Sequence, residues 1–206
     1  MVNLAAFASG RGSNFLAIHR HLLKNSLPGR YVLLISDRAN PPVADAALSE
    51  GIPFLHLNVK DFPSRDEYAA RLIEELESKA VEWITLAGYL KLIPSKVVER
   101  FQGRILNIHP ALLPLFGGKG MYGEHVHRAV IESGMKVSGA TVHIVDEKYD
   151  TGPIVLQETV PVHYEDTPKI LAARVLEVEH RIYPRAVELA IKDKIRIHGR
   201  RVEILP

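Results

Sequence analysis

The first half of the chain alternates short apolar runs with segments of helical period. The apolar runs span residues 2–8, 31–36, 53–57, 83–87 and 104–108. Runs of this length that are apolar at nearly every position are typical of strands covered on both faces of a parallel sheet. Strands that alternate with helices indicate βαβ units. We therefore predict an α/β fold, with a mostly parallel, Rossmann-like sheet flanked by helices.

One helix in this half has well-marked ends, at residues 64–79. Ser64 followed by Glu67 is the capping-box pattern that starts a helix, and Tyr68, Leu72 and Leu76 recur at helical spacing. The opposite face of the segment is charged. The pattern therefore predicts an amphipathic helix with one apolar face.

The character of the chain changes after Pro114. The stretch LFGGKGMYGEH holds four glycines in eleven residues, which predicts an irregular, mobile loop at residues 116–123. Beyond it the pattern predicts a helix at 124–133, strands at 137–145 and 154–162, and a long helix at 167–192 interrupted at Pro184. The tail is predicted to form a hairpin that turns at His198 and Gly199. Since no linker or repeat divides the chain, we predict one domain, 1–206, with halves at about 1–103 and 104–206.

Composition excludes several classes of function. The chain has 206 residues, 26 Lys and Arg against 24 Asp and Glu, and a formal charge of +2 that is spread evenly, so no nucleic-acid partner is expected. It has no cysteine, which excludes disulfides and thiolate metal sites and favours a reducing compartment, the cytoplasm. No apolar run is long enough for a membrane span, and the apolar N-terminus is expected to be a buried strand and not a signal peptide.

The sequence GRGSN places glycines where the first strand should turn into the first helix. Glycine allows close backbone approach, and the amides at a helix start attract a phosphate. A dinucleotide site is disfavoured because Phe15 stands where its fingerprint requires a small residue, although Asp37 would suit a ribose. The Ser13 hydroxyl and the Asn14 amide fit a phosphomonoester, with Arg11 nearby. The alternative is a plain turn that leads into a helix cap.

A second candidate site lies in the stretch RILNIHPALLP. Asn107 and His109 are two apart on a predicted strand, so their side chains should extend from one face, at the end where open α/β sheets bind ligands. If the strand at 137–145 is a neighbour, Asp150 could reach His109 and raise its pKa. An amide and a cationic imidazole that share one target suit a developing oxyanion. The alternative is a structural His-Pro pair.

Two other kinds of chemistry find less support. His125, His127 and His143 could suggest a metal site, but residues two apart on a helix diverge and no acidic partner completes a ligand set. A serine hydrolase would need a GxSxG elbow, which does not occur in the sequence.

Four motifs carry a family resemblance that covers nearly the whole chain. ASGRGSN, LAGYLKLIP, ILNIHPALLP and YDTGPIVLQ occur in this order, and together they resemble the phosphoribosylglycinamide formyltransferases, a branch of the formyltransferase family. The resemblance implies the formyltransferase fold and a role in de novo purine biosynthesis. The reaction it implies is transfer of a formyl group from the co-substrate 10-formyltetrahydrofolate to the amine of glycinamide ribonucleotide. These small molecules would be the partners of a monomer or weak homodimer, with no metal.

The resemblance also implies residue roles. Asn107, His109 and Asp150 would be catalytic. The substrate would be bound through its phosphate by Gly12, Ser13 and Asn14, and through its ribose by Glu179, which is otherwise expected to be an exposed charge. The folate would contact Arg65, Leu90, Lys91, Leu92, Ile93, Asn107, Asp146, Glu147, Lys148, Tyr149 and Asp150.

The sequence departs from the family pattern at a few positions. Ala111 stands where the family often has serine, Leu90 and Lys91 replace the Met-Arg of some members, and the 116–123 loop is longer and richer in glycine than in some relatives.

Related activities give the alternative functions. A tRNA formyltransferase would need a further RNA-binding domain, and a formylfolate hydrolase would need no phosphate loop. A nucleotide-binding module without activity would have no use for the three converging side chains.

Overall fold

The computed structural model describes all 206 residues, Met1–Pro206. Its strands are β1 (Val2–Phe7), β2 (Gly29–Ser36), β3 (Phe54–His56), β4 (Trp83–Leu86), β5 (Ile105–His109), β6 (Val137–Ile144), β7 (Ile154–Pro161), β8 (Ile195–His198) and β9 (Arg201–Ile204). Its helices are α1 (Ser13–Lys24), α2 (Pro42–Ser49), α3 (Arg65–Ser78), α4 (Ser95–Arg100), α5 (Glu124–Glu132) and α6 (Pro168–Ile191), with a short 3₁₀ helix at Val59–Asp61. No helix is long and apolar enough to cross a membrane.

Seven strands are hydrogen-bonded in the order β3-β2-β1-β4-β5-β6-β7. β1 pairs in parallel with β2 and β4, and β2 pairs in parallel with β3, whereas β7 runs antiparallel to β6. The predicted α/β fold is therefore confirmed. The chain divides into two compact units, Met1–Leu106 and Asn107–Pro206.

The core of the first unit is built by β1, β2 and β4. Apolar side chains at 0% exposure, such as Phe7, Leu34 and Ile84, account for the nearly continuous apolar runs in the sequence. The predicted N-cap is present at the start of α3, where Ser64 and Glu67 are hydrogen-bonded to each other. The Ser64 hydroxyl accepts from the Glu67 amide at 3.1 Å and donates to its carboxylate at 3.1 Å. The first bond satisfies an amide that a bare helix start would leave without a partner, and the second links the two side chains.

The second unit contains β6, β7 and α6. The predicted break of the long helix at Pro184 is wrong, because α6 is continuous from Pro168 to Ile191. A proline removes one amide donor from a helix, here the bond to the carbonyl of His180. Pro184 is buried together with Tyr183 and Ala186. Burial of this face favours the continuous helix, and tertiary packing overrides the local preference.

The C-terminal tail forms the predicted hairpin as a separate two-stranded sheet of β8 and β9. His198 pairs with Arg201, so the turn residues are Gly199 and Arg200, one position beyond the prediction. Gly199 has a φ of 61°, which glycine adopts without steric cost.

Candidate active site

Strand β5 presents two polar side chains from an otherwise apolar segment. Asn107 and His109 are two positions apart, so both extend from the same face of the strand. β6 lies beside β5 in the sheet, and the chain that follows β6 carries Asp150. The Nδ1 atom of His109 lies 3.5 Å from Oδ2 of Asp150, and the Nδ2 atom of Asn107 lies 3.5 Å from its Oδ1. These three residues therefore form one cluster, called here the active-site cluster.

The turn that carries Asp150 is fixed by its own residues. Asp146 accepts hydrogen bonds from the Thr151 hydroxyl at 2.7 and 2.8 Å. Asp150 itself has a φ of 57°, a left-handed conformation that Asp tolerates better than most residues. A Cβ atom at Gly152 would lie 1.8 Å from the carbonyl oxygen of Ile144, so only glycine fits there. The position of the Asp150 carboxylate is therefore set by contacts within its own turn and by the close packing at Gly152.

Burial decides the charge of His109. Its side chain is 4% exposed, and desolvation lowers its pKa below the ordinary value, outweighing the negative charge of Asp150 and the Phe116 carbonyl, which raise it. The neighbouring ring of His143 also lowers the pKa. The sequence predicted the opposite, an imidazolium maintained by Asp150. That prediction is wrong for the free protein, because burial penalises the charged ring more than the carboxylate stabilises it.

Asp150 is a carboxylate at neutral pH. Burial alone would raise its pKa, but the polar neighbours of the carboxylate, the Gly118 amide among them, hold the pKa below its usual value. The geometric basis is direct for the amide, since the N–H of Gly118 donates to Oδ2 over 2.8 Å. The cluster therefore combines a neutral imidazole with an ionised carboxylate.

The glycine-rich segment lies directly against the cluster. Nε2 of His109 lies 2.8 Å from the carbonyl oxygen of Phe116. A carbonyl can only accept, so the neutral ring carries its proton on Nε2. A Cβ atom at Gly117 would lie 3.1 Å from Cβ of Asp150 and 2.6 Å from a methyl group of Leu113. Glycine at this position therefore allows the backbone to approach the carboxylate; the mobility of the 116–123 loop remains a prediction.

His143 is a member of the site that sequence reasoning assigned only to a possible metal. Its Nε2 atom lies 3.0 Å from Nδ2 of Asn107 and 3.6 Å from Oδ1 of Asp150, and its side chain is 2% exposed. The sequence signal that could have indicated its role was a polar side chain, His143, within the mostly apolar predicted strand 137–145. Its partners could not be named before the order of β5 and β6 was known.

The predicted phosphate loop joins β1 to α1 in the first unit. Gly12 has a φ of 68°, and a Cβ atom there would lie 2.1 Å from a methyl group of Val43, so the position requires glycine. No side chain caps the start of α1. The Ser9 hydroxyl donates to Oδ1 of Asp37 at 2.5 Å, so Asp37 helps to hold the loop. Phe15 is fully buried at the position where a dinucleotide fingerprint would need a small residue.

The sequence and the geometry agree with a known family. Residues 2–187 match the family model described as formyl transferase. The chain belongs to the formyl transferase family. It is 47% identical over 194 residues to the chloroplastic phosphoribosylglycinamide formyltransferase of Arabidopsis thaliana, a match that covers 94% of this chain and 66% of that protein. The corresponding protein of Vigna unguiculata is also 47% identical, and 93% of this chain and 62% of that protein are covered. The chain therefore spans about two thirds or less of these relatives' length.

A solved formyl transferase structure matches the whole fold. The crystal structure of glycinamide ribonucleotide transformylase 1 from Symbiobacterium toebii superposes with a TM-score of 0.94 at 41% identity. The match covers 100% of this chain and 95% of that chain. The predicted formyltransferase fold is therefore confirmed.

The residues that the resemblance assigned to the folate of a formyl transferase are mostly exposed. In the first unit, Leu90 and Leu92 are 43% and 42% exposed, which is unusual for large apolar side chains, whereas Ile93 is buried. Arg65 and Lys91 are exposed in the same unit. In the second unit the exposed residues are Glu147, Lys148 and Tyr149, on the turn that Asp146 fixes. These side chains are free to meet a ligand, and the assignment to folate remains a proposal.

Glu179 does not lie on the surface of the long helix. It is 8% exposed on α6, so the alternative of an exposed charge is wrong. Carboxylates are rarely buried unless a partner stabilises them. Its burial is therefore compatible with a specific role in this member of the formyl transferase family, whereas a solvated helix face is excluded.

The histidines of α5 do not converge as a metal site. His127 is 4% exposed, and burial, with a smaller contribution from His109, lowers its pKa to about 4. His125 is exposed and its ring lies against Tyr122, with 5.4 Å between the ring centroids. No group of three or more His, Asp and Glu side chains is arranged to hold a metal ion.

Proposed function

We propose that this chain transfers the formyl group of 10-formyltetrahydrofolate to the amine of glycinamide ribonucleotide, a step of de novo purine biosynthesis. Membership of the formyl transferase family implies a folate as the formyl donor in general. The observation that carries the proposal is the convergence of Asn107, His109 and Asp150, with both Nδ1 of His109 and Nδ2 of Asn107 within 3.5 Å of the carboxylate. An amide donor can stabilise the oxyanion of acyl transfer between two amines, and an imidazole and a carboxylate can move its protons.

The reaction forms one bond and breaks another at the formyl carbon. The substrate amine attacks this carbon, and negative charge develops on the formyl oxygen. Asn107 donates an N–H to that oxygen. The tetrahedral intermediate then releases N10 of the folate, which takes up a proton equivalent to the one the amine loses. The products are the formamide and tetrahydrofolate.

The protons move through the other two members of the active-site cluster. Asp150 is ionised, so it accepts the proton that the amine loses after attack. His109 is neutral and carries its proton on Nε2 in the free protein. Negative charge that develops beside the ring raises its pKa. The proton that Asp150 accepted from the amine therefore passes to Nδ1 of His109, which lies 3.5 Å from Oδ2 of Asp150. The imidazolium stabilises the oxyanion and then protonates N10 of the leaving folate, which leaves Asp150 ionised and His109 neutral again.

The phosphate of the substrate is assigned to the loop at Gly12, Ser13 and Asn14. The support is the uncapped start of α1, a twelve-residue helix whose first amides attract an anion. The Ser13 hydroxyl adds a neutral donor. We assign the ribose hydroxyls to Glu179, since a buried carboxylate accepts hydrogen bonds from a diol without competition from bulk water.

The folate is assigned to Arg65, the segment 90–93, Asn107 and the turn 146–150. Exposed Leu90, Leu92 and Tyr149 offer apolar surface for a flat ring, and Arg65 and Lys91 offer positive charge for the carboxylates of its tail. Asp146 is engaged within its own turn. The part of that turn that is open to a ligand is therefore its backbone and the exposed side chains.

The decisive experiment is a formyl-transfer assay on the purified full chain with both substrates. We expect tetrahydrofolate release that depends on glycinamide ribonucleotide, together with formylated product in equal amount. Release of formate and tetrahydrofolate without the nucleotide would identify a hydrolase instead. No release under either condition would overturn the proposal.

Two further predictions concern the state and the location of the protein. A monomer or weak homodimer and a cytoplasmic location remain predictions, and the two plant relatives are named chloroplastic.

A further inference from the structure

His143 bridges the backbone of its own strand and the amide of Asn107. Its Nδ1 atom lies 2.9 Å from the carbonyl oxygen of Ile144, and its Nε2 atom lies 3.0 Å from Nδ2 of Asn107. The side chain is 2% exposed and sits on β6, which neighbours β5 in the sheet. The ring is therefore held on both sides by groups whose positions the sheet fixes.

These two contacts define the tautomer. The Ile144 carbonyl can only accept a hydrogen bond, so Nδ1 of His143 carries a proton and donates it. With that proton on Nδ1, the neutral ring has its lone pair on Nε2. Nε2 then accepts one N–H of Asn107. Rotation of the amide by half a turn would place its oxygen against this lone pair, which is unfavourable.

The same contacts leave one N–H of Asn107 poised for reaction. The second N–H lies toward Oδ1 of Asp150, where the donor–acceptor distance is 3.5 Å, at the long end of hydrogen bonding. The bond to His143 is the shorter of the two and fixes the amide nitrogen on this side. The weaker bond to Asp150 can be exchanged for an oxyanion without loss of the stronger one.

We propose that His143 is a positioning residue that orients the Asn107 amide so that its nitrogen faces the developing oxyanion. The inference rests on the proposed formyl transfer. It predicts that His143 acts on the rate only through Asn107. Substrate binding at the phosphate loop does not depend on it.

The test is a double-mutant cycle in the formyl-transfer assay. His143→Leu removes the acceptor, and we expect kcat to fall about 10- to 100-fold, short of the 10²- to 10³-fold typical of losing an oxyanion donor outright. The KM for glycinamide ribonucleotide should stay within about twofold of wild type. His143→Gln offers an amide oxygen as acceptor and should recover most of the rate. In an Asn107→Ala background, His143→Leu should have almost no further effect on kcat, whereas a merely structural role would lower it by the same factor again and overturn the proposal.

A control variant separates the effect of losing His143 from that of losing any buried histidine, and an NMR measurement tests the tautomer of His143 without the assay. His19→Leu is the matched control, because it removes another buried histidine, one that lies 3.4 Å from Glu50, and kcat should not change. Nitrogen-15 NMR of wild-type protein should show His143 protonated at Nδ1 and unprotonated at Nε2. The opposite tautomer would overturn the proposal even if His143→Leu fails to fold. A wild-type chain without formyl-transfer activity would refute the proposed function, while the NMR result would still report on the contact itself.

Discussion

The carbonyl oxygen of Phe116 accepts a hydrogen bond from Nε2 of His109 over 2.8 Å. Two residues further on, the Gly118 amide donates to Oδ2 of Asp150. In the free protein the backbone of the glycine-rich segment is thus hydrogen-bonded to the imidazole and to the carboxylate that the proposed reaction needs. We therefore expect that a substrate that binds to Nε2 of His109 displaces the Phe116 carbonyl, and that this segment moves during the proposed reaction.

The first prediction concerns the coupling between His109 and Asp150. Asp150→Asn removes the negative charge that raises the pKa of His109. With burial unopposed by that charge, we expect the pKa of His109 to fall further below its ordinary value. NMR titration of the His109 ring in wild type and variant measures the change. An unmoved titration curve would contradict the coupling, and a curve moved upward would contradict its sign.

The second prediction concerns the oxyanion donor. Asn107→Ala removes the side-chain amide of the active-site cluster, and we expect kcat to fall about 10²- to 10³-fold with little change in the KM for glycinamide ribonucleotide. Steady-state kinetics with both substrates varied measures the two effects. Asn25→Ala is the control, because Asn25 is an exposed amide that bonds only to its own helix end. Unchanged turnover in Asn107→Ala would exclude the assigned role.

The arrangement of Asn107 and His109 could be foreseen because it depends on strand periodicity alone. Residues two apart on a strand share a face, and apolar neighbours marked the strand. The charge of His109 could not be foreseen in the same way. Its pKa depends on how much water the fold removes from the ring, and burial is a property of packing that no local pattern encodes.

The missed parts of the site share one cause. His143 on β6 contacts Asn107 on β5, a residue 36 positions earlier in the sequence. The contact could therefore be predicted only from the order of the strands in the sheet. The Phe116 carbonyl and the Gly118 amide are backbone groups and have no signature in the sequence. Pro184 shows the converse, since its local signal to end a helix was strong and the buried face of α6 overrode it.

The third prediction concerns the phosphate loop. Gly12→Ala forces a side chain into a left-handed conformation and against buried Val43, with the new Cβ only 2.1 Å from its methyl group. We expect a loss of about 1 to 3 kcal/mol in the free energy of unfolding and a raised KM for glycinamide ribonucleotide, because the loop must shift to relieve the overlap. Denaturant unfolding and steady-state kinetics measure the two effects.

Gly10→Ala is the matched control for this substitution. A Cβ atom at Gly10 would meet nothing within 4 Å, and its φ lies outside the left-handed range. The variant should unfold within about 0.5 kcal/mol of wild type. Equal losses in the two variants would show that the close contact with Val43 does not constrain the loop.

The fourth prediction concerns the pH dependence of stability. Burial, with a smaller contribution from His109, lowers the pKa of His127 from 6.5 to about 4 in the folded chain. Between these two values the unfolded chain binds a proton at His127 that the folded chain does not. Stability therefore falls as the pH falls through this range, and this one group contributes a slope of at most about 1.4 kcal/mol per pH unit. Above pH 6.5 His127 is neutral in both states, and this loss of stability is absent.

His127→Gln removes this titration and isolates it from those of the other buried groups. The difference in free energy of unfolding between wild type and His127→Gln should be largest at pH 7 and should shrink steadily toward pH 4.5, as measured by urea denaturation at constant ionic strength. His198→Gln changes an exposed histidine, whose side chain is 65% exposed, and its profile should run parallel to that of wild type. If the profile of His127→Gln ran parallel as well, His127 would have the same proton affinity in both states, and burial could not be what keeps its ring neutral.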